Sequence, residues 1–107
     1  MSNQELEYRA LKLVEQHPQI TQRQLSKELG VSLGKAHYVV KALVKVGWIK
    51  LENFQRSDNK LGYAYLLTPA GVVEKAKITR QFLQRKQREY QQLKREIEQL
   101  QIEVDEF

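Results

Sequence analysis

From Thr68-Pro69 to Phe107 the sequence offers nothing that ends a helix. Thr68 is a hydroxyl cap, Pro69 takes the helical position where a missing amide costs nothing, and Gly71 is a tolerable interruption. At about 1.5 Å per residue a helix over 69–107 reaches nearly 60 Å. No domain built from residues 1–68 is wide enough to bury it. The 107-residue chain is therefore expected to be one small domain with a protruding arm.

Residues 3–16 place Leu6, Ala10, Leu13 and Val14 along one helix face, with Tyr8 and Leu11 beside them. His17-Pro18 ends that helix, with His17 a simple C-terminal cap. Thr21-Gln22-Arg23-Gln24 reads as a capping box opening a short second helix that carries Leu25 and Leu29 inward and stops at Gly30. Only Val31 and Ser32 separate it from a third helix, capped by Ser32, with Ala36, Val39, Val40 and Leu43 inward and a stop at Gly47. Helices joined by so tight a turn must cross steeply.

After Gly47 the period falls to two. Ile49 and Leu51 alternate with Lys50 and Glu52 as a half-buried strand, and Tyr63, Tyr65 and Leu67 form a second. Arg56-Ser57-Asp58-Asn59-Lys60 is the polar, partly basic turn between them. Trp48 is expected in the core. The fold class is thus mainly α with a small β-hairpin, followed by a long coiled-coil-like helix.

In the arm, Leu93, Ile97, Leu100, Val104 and Phe107 repeat at alternating spacings of four and three, and the register runs back through Tyr90, Lys86 and Leu83. This is a coiled-coil seam, with β-branched Ile97 and Val104 at a and Leu93 and Leu100 at d, a combination that favours two parallel strands. Glu89 at g could then meet Lys94 of a partner. Lys86 at d weakens the upper seam and leaves antiparallel pairing open; the alternative to pairing is a helix folded back on its own domain. The expectation is a homodimer, because the apolar stripe persists where no other element remains to cover it.

Eighteen Lys and Arg against thirteen Asp and Glu give a net charge of +5 and favour an anionic partner. The charge is uneven. Residues 69–88 carry six basic groups against Glu74 alone, residues 89–107 carry Lys94 and Arg95 against six acidic groups, and Lys35, Lys41, Lys45, Lys50, Arg56 and Lys60 cluster from the third helix through the hairpin. Cysteine is absent, which excludes thiolate chemistry and sulfur-held zinc and fits a reducing compartment, the cytoplasm. No export signal or membrane-spanning run is read. Gly30 to Ala36 has a superficial likeness to a phosphate-binding loop, but its glycines are one residue too close and Ala36 stands where a magnesium-holding hydroxyl is needed. Without a metal-spaced His pair or convergent carboxylates, the chain reads as a non-enzyme that needs no cofactor.

On the third helix Gly34, Lys35, His37, Tyr38 and Lys41 lie off the buried stripe, and an α-helix fits the major groove of B-DNA. Lys35 could donate to guanine or phosphate, His37 and Tyr38 offer hydrogen bonds and stacking, and Gly34 allows close backbone approach; an idle imidazole for His37 and a packing role for Tyr38 are the plain alternatives. Gln22, Arg23 and the amides opening the second helix are placed to hold phosphate, and Ser32, the cap of the third, is counted with the DNA-binding residues. Arg56 and Lys60 could track the backbone from the hairpin tip.

The stretch Thr21-Gln22-Arg23-Gln24-Leu25-Ser26-Lys27-Glu28-Leu29-Gly30-Val31-Ser32, with Val40-Lys41-Ala42-Leu43-Val44-Lys45-Val46-Gly47-Trp48-Ile49 and Tyr65-Leu66-Leu67-Thr68-Pro69-Ala70-Gly71, resembles winged helix-turn-helix regulators of the MarR type. With Ser32-Leu33-Gly34-Lys35, Asn53-Phe54, Asn59-Lys60-Leu61 and Glu74-Lys75-Ala76, the whole chain resembles the small exopolysaccharide-associated members of that group. The resemblance implies a recognition helix over Leu33 to Val46, a wing tip over Arg56 to Lys60, double-stranded DNA as partner, and transcriptional control near polysaccharide genes through a pseudo-palindromic operator. With the seam read above, the chain divides into a DNA-binding domain over 1–71 and a dimerisation helix over 72–107, pairing through Leu83, Tyr90, Leu93, Ile97, Leu100 and Val104. The short N-terminal segment, single terminal helix and missing cysteine argue against an effector pocket and a thiol switch. The rival readings are a winged-helix module for protein contacts without specific DNA binding, and RNA binding, which lacks an aromatic platform on the strands.

Overall fold

The computed structural model describes residues 3–55 and 61–107. Four helices and a hairpin follow in the order α1 (Asn3–Gln16), α2 (Gln22–Leu29), α3 (Leu33–Lys45), β1 (Ile49–Gln55), β2 (Leu61–Leu67) and α4 (Pro69–Asp105). The punctuation works as the side chains dictate. Thr21 Oγ1 accepts from the Gln24 amide at 3.1 Å while Gln24 Oε1 accepts from the Thr21 amide at 2.9 Å, closing the capping box. Gly30 ends α2 at φ 69° and Gly47 reverses the chain after α3 at φ 81°, conformations that a side chain would strain. Ser32 Oγ accepts from the Lys35 amide at 3.1 Å, and Thr68 Oγ1 from the Gly71 amide at 3.0 Å.

The core joins one face of each element: Leu6, Ala10, Leu11 and Val14 of α1, Leu25 and Leu29 of α2, Val39, Val40 and Leu43 of α3, with Ile20, Ile49, Tyr65 and Ile78. Leu11 takes the buried place on α1, and Leu13 is only half-buried against the cluster. Arg9 closes the far end of α2, donating to the carbonyls of Glu28 and Leu29.

The hairpin is antiparallel, with Ile49 opposite Leu67, Leu51 opposite Tyr65 and Asn53 opposite Tyr63. Its strands are not equivalent. The Tyr65 amide donates to the Pro18 carbonyl at 2.8 Å, so the α1–α2 connection flanks β2 and leaves β1 on the edge. Tyr65 is consequently buried, whereas Leu51 is 51% exposed. The expectation of an inward Leu51 fails for that reason: alternation sets the face of a strand, but an edge strand has nothing beside it. Trp48 is half-buried against the core.

The first turns of α4 belong to the domain. Gly71 and Ile78 are buried, Phe82 stacks on Tyr8 of α1 with ring centroids 5.2 Å apart, and Lys75 Nζ reaches Glu15 at 2.5 Å. Past residue 86 the helix is exposed and packs on no other described element, and the molecule is 71 Å long but only 26 by 24 Å across.

Candidate nucleic-acid interface

A helical period of 3.6 residues sets Gly34, Tyr38, Lys41 and Lys45 opposite the buried stripe of α3, with Lys35 and His37 on its two shoulders. All six are exposed. The helix carries three lysines and no carboxylate, so its outward face is positive along its whole length. From sequence Lys45 is read only as part of the basic cluster and not as a DNA contact, although its spacing of four from Lys41 is the signal that places it on the same face. A Cβ on Gly34 would find only Ser32 Oγ, 4.0 Å away, so nothing inside the chain requires glycine there.

Neighbours hold two of these side chains. Lys35 Nζ lies 5.0 Å from the centroid of the Tyr38 ring, one turn along, in a cation–π contact, and both residues line a hollow shared with Asn3, Leu6 and Glu7 of α1. His37 Nδ1 lies 3.1 Å from Gln22 Oε1. Gln22 is half-buried at the start of α2, and its side chain also hydrogen-bonds to Tyr65. Burial pushes the Tyr65 hydroxyl above the usual phenol range; the bond from Gln22 opposes this, and Tyr63, edge-on at 5.6 Å, adds to it. Gln22 therefore ties α2, α3 and β2 together. Arg23 and Ser32 are exposed at the first turns of α2 and α3. Arg56 and Lys60 lie outside the described residues.

On the arm, Leu83, Tyr90, Leu93, Ile97, Leu100, Val104 and Phe107 are all exposed, Ile97 at 56%. Lys86 is held by its own domain, 3.8 Å from Glu5 of α1, and its ammonium lies over the Phe82 ring. Glu89 is engaged within the chain as well, 3.2 Å from Lys86 and 3.9 Å from Arg85. The fold-back alternative thus describes α4 as far as residue 86. Beyond it Tyr90, Leu93 and Ile97, flanked by Lys94 and Glu98, form an apolar concavity that no other described element covers.

Among the described residues no group of three or more His, Asp or Glu is gathered as metal ligands, and no helix is long and apolar enough to cross a membrane.

A family model described as winged helix-turn-helix DNA-binding matches residues 4–50. No curated protein matches the sequence. Among solved structures the chain is similar to the transcriptional regulator SlyA (23% identity, TM-score 0.60), over 76% of this chain and 56% of that one. It is similar to FabT from Streptococcus pneumoniae, solved in complex with DNA (23% identity, TM-score 0.54), over 77% of this chain and 56% of that one. A MepR mutant from S. aureus aligns with 99% of this chain and 77% of its own at 19% identity and TM-score 0.62. The chain thus spans little more than half the length of SlyA and FabT. At these identities the likeness establishes the fold, a winged helix-turn-helix with a long terminal helix.

Proposed function

We propose that the protein is a sequence-specific, double-stranded-DNA-binding transcriptional regulator of the MarR type, acting as a dimer. The observation that carries this reading is the outward face of α3: a helix exposed along its length, bearing Lys35, Lys41 and Lys45 without one acidic group, and with glycine at its entry where the fold does not need one. Such a face suits the major groove, with lysines on phosphate or guanine and the N-terminal half nearest the bases. The family model over residues 4–50 and the likeness to FabT, crystallised with DNA, point the same way.

In this reading residues 1–71 read DNA, with Gln22, Arg23, Ser32, Gly34, Lys35, His37, Tyr38, Lys41, Arg56 and Lys60 at or behind the contact, and 72–107 pair two chains. The pairing seam starts at Tyr90, because Lys86 is committed to Glu5 and Glu89. Leu83, exposed on the preceding turns, adds area at its edge. Two heads then meet a pseudo-palindromic operator; control of exopolysaccharide-related genes is carried over from the resemblance of the sequence. Capture of genomic fragments by the full chain, followed by sequencing, tests this. Enriched fragments sharing an inverted repeat near such genes are expected, and a protein-docking module would enrich none.

A further inference from the structure

His37 stands on the shoulder of α3 nearest α2, exposed, with Nδ1 3.1 Å from Gln22 Oε1. An amide oxygen can only accept, so the neutral imidazole makes this bond with its proton on Nδ1. The 3.1 Å contact places the oxygen of the Gln22 amide, not its nitrogen, against His37.

With Nδ1 protonated, Nε2 on the far edge of the ring is a bare lone pair. We propose that Gln22 is a specificity-determining positioning residue: by fixing the Nδ1–H tautomer it makes His37 an acceptor toward the major groove, so that His37 selects a base carrying an exocyclic amino group. In that groove adenine N6 and cytosine N4 are the donors, while guanine and thymine present acceptors. One position of each half-site is therefore adenine or cytosine on the contacted strand. This rests on the reading of α3 as the groove helix. It also moves Gln22 from holding phosphate to holding His37.

The tautomer is measured without DNA. Nitrogen NMR of the histidine-labelled full chain at about pH 8, where free imidazole is neutral, distinguishes a protonated from a bare ring nitrogen, and a His17→Gln chain leaves His37 as the single signal. The proton is expected on Nδ1 in the wild type, and Gln22→Leu is expected to lose that preference. A wild-type proton on Nε2 overturns the proposal, as does a folded Gln22→Leu chain with an unchanged tautomer. Selection from a random duplex pool supplies the second readout. The wild type is expected to enrich a motif with one adenine-or-cytosine position that becomes indifferent in His37→Ala and in Gln22→Leu, the rest of the motif persisting. A motif intact in both variants overturns the specificity role alone. A wild type that holds the Nδ1–H tautomer but enriches no motif overturns the DNA reading instead. Should Gln22→Leu fail to fold, the wild-type tautomer and the His37→Ala motif decide.

Discussion

A Cβ placed on Gly71 would lie 1.9 Å from the carbonyl oxygen of Trp48 and 2.8 Å from its carbonyl carbon. The same carbonyl accepts from the Thr68 amide at 3.0 Å, and Thr68 Oγ1 donates to Gly47. The first turn of α4 is thus pressed onto the chain reversal between α3 and β1, and a side chain at 71 can be admitted only by moving backbone. Gly71→Ala is expected to destabilise the fold by about 1–3 kcal/mol or more, despite the better helix propensity of alanine. Urea unfolding of the two chains checks this.

Gly34 is the opposite case. It lies in a helix, meets nothing in its own chain, and stands at the entry of the exposed face of α3. Gly34→Ala is expected to stabilise the fold by roughly 0.5–1 kcal/mol and to weaken DNA binding, since the added methyl blocks close backbone approach. Melting and a binding titration on one preparation separate the two effects. Unchanged affinity would show that the groove does not need glycine there.

The local code of this chain was legible because caps and turns are short-range chemistry. Thr21-x-x-Gln24, Gly30, Ser32 and Thr68-Pro69 place four helix ends, and the three-and-four spacing identifies the inward faces of α2 and α3. What depended on neighbours was not legible. Leu51 alternates correctly but sits on an edge strand, a fact fixed by Pro18 some thirty residues earlier. Lys86 holds the correct register for the seam yet turns to Glu5 at the other end of the sequence. Gln22 looked like a phosphate ligand because its partners, His37 and Tyr65, lie on two later elements. Gly71 looked merely tolerable because its reason is Trp48.

Tyr65 gives the alkaline stability of the domain a sign. Burial holds its hydroxyl above the ordinary phenol range, so around and above about pH 10 the unfolded chain loses this proton before the folded one does. Stability from this group is complete below the unfolded value and is lost as pH rises through the folded one, with a slope of at most about 1.4 kcal/mol per pH unit. Urea unfolding between about pH 9 and 11 is expected to fall more steeply for wild type than for Tyr65→Phe. Parallel curves would remove Tyr65 as the cause.

Binding through the lysines of α3 is expected to weaken with salt, log K changing by about −0.9 per neutralised phosphate against log salt. Lys41→Ala and Lys45→Ala, on the outermost face, are expected to reduce that slope by about one each with little change in sequence preference. Lys35→Ala is expected to relax preference as well, and to free the ring of Tyr38. Arg56→Ala and Lys60→Ala are expected to weaken binding to all sequences alike. Titrations at several salt concentrations against matched and mismatched duplexes separate these patterns, and equal effects of every substitution on every duplex would count against direct reading by α3.

In the proposed reading one winged module contacts too few base pairs to find a site among roughly 10⁶ or more competitors in a genome, so that reading requires two to act together. The exposed stripe from Tyr90 to Val104 is the surface proposed to pair them. Ile97→Asp puts a charge at its centre, where burial without a partner costs several kcal/mol on the order of a buried unpaired ion, far more than a short seam can absorb. Light scattering is expected to show a dimer for wild type at micromolar concentration and a monomer for the variant. Circular dichroism should stay close to wild type, because Ile97 lies beyond the last contact of α4 with its own domain and its loss leaves the packing of Ile78 and Phe82 intact. Operator affinity is expected to fall in step with dissociation, and most for inverted repeats whose half-sites lie one helical turn or a multiple of it apart. A variant that stays dimeric with full affinity would move the pairing surface to α1 and the domain face of α4, leaving the distal stripe without a role in assembly.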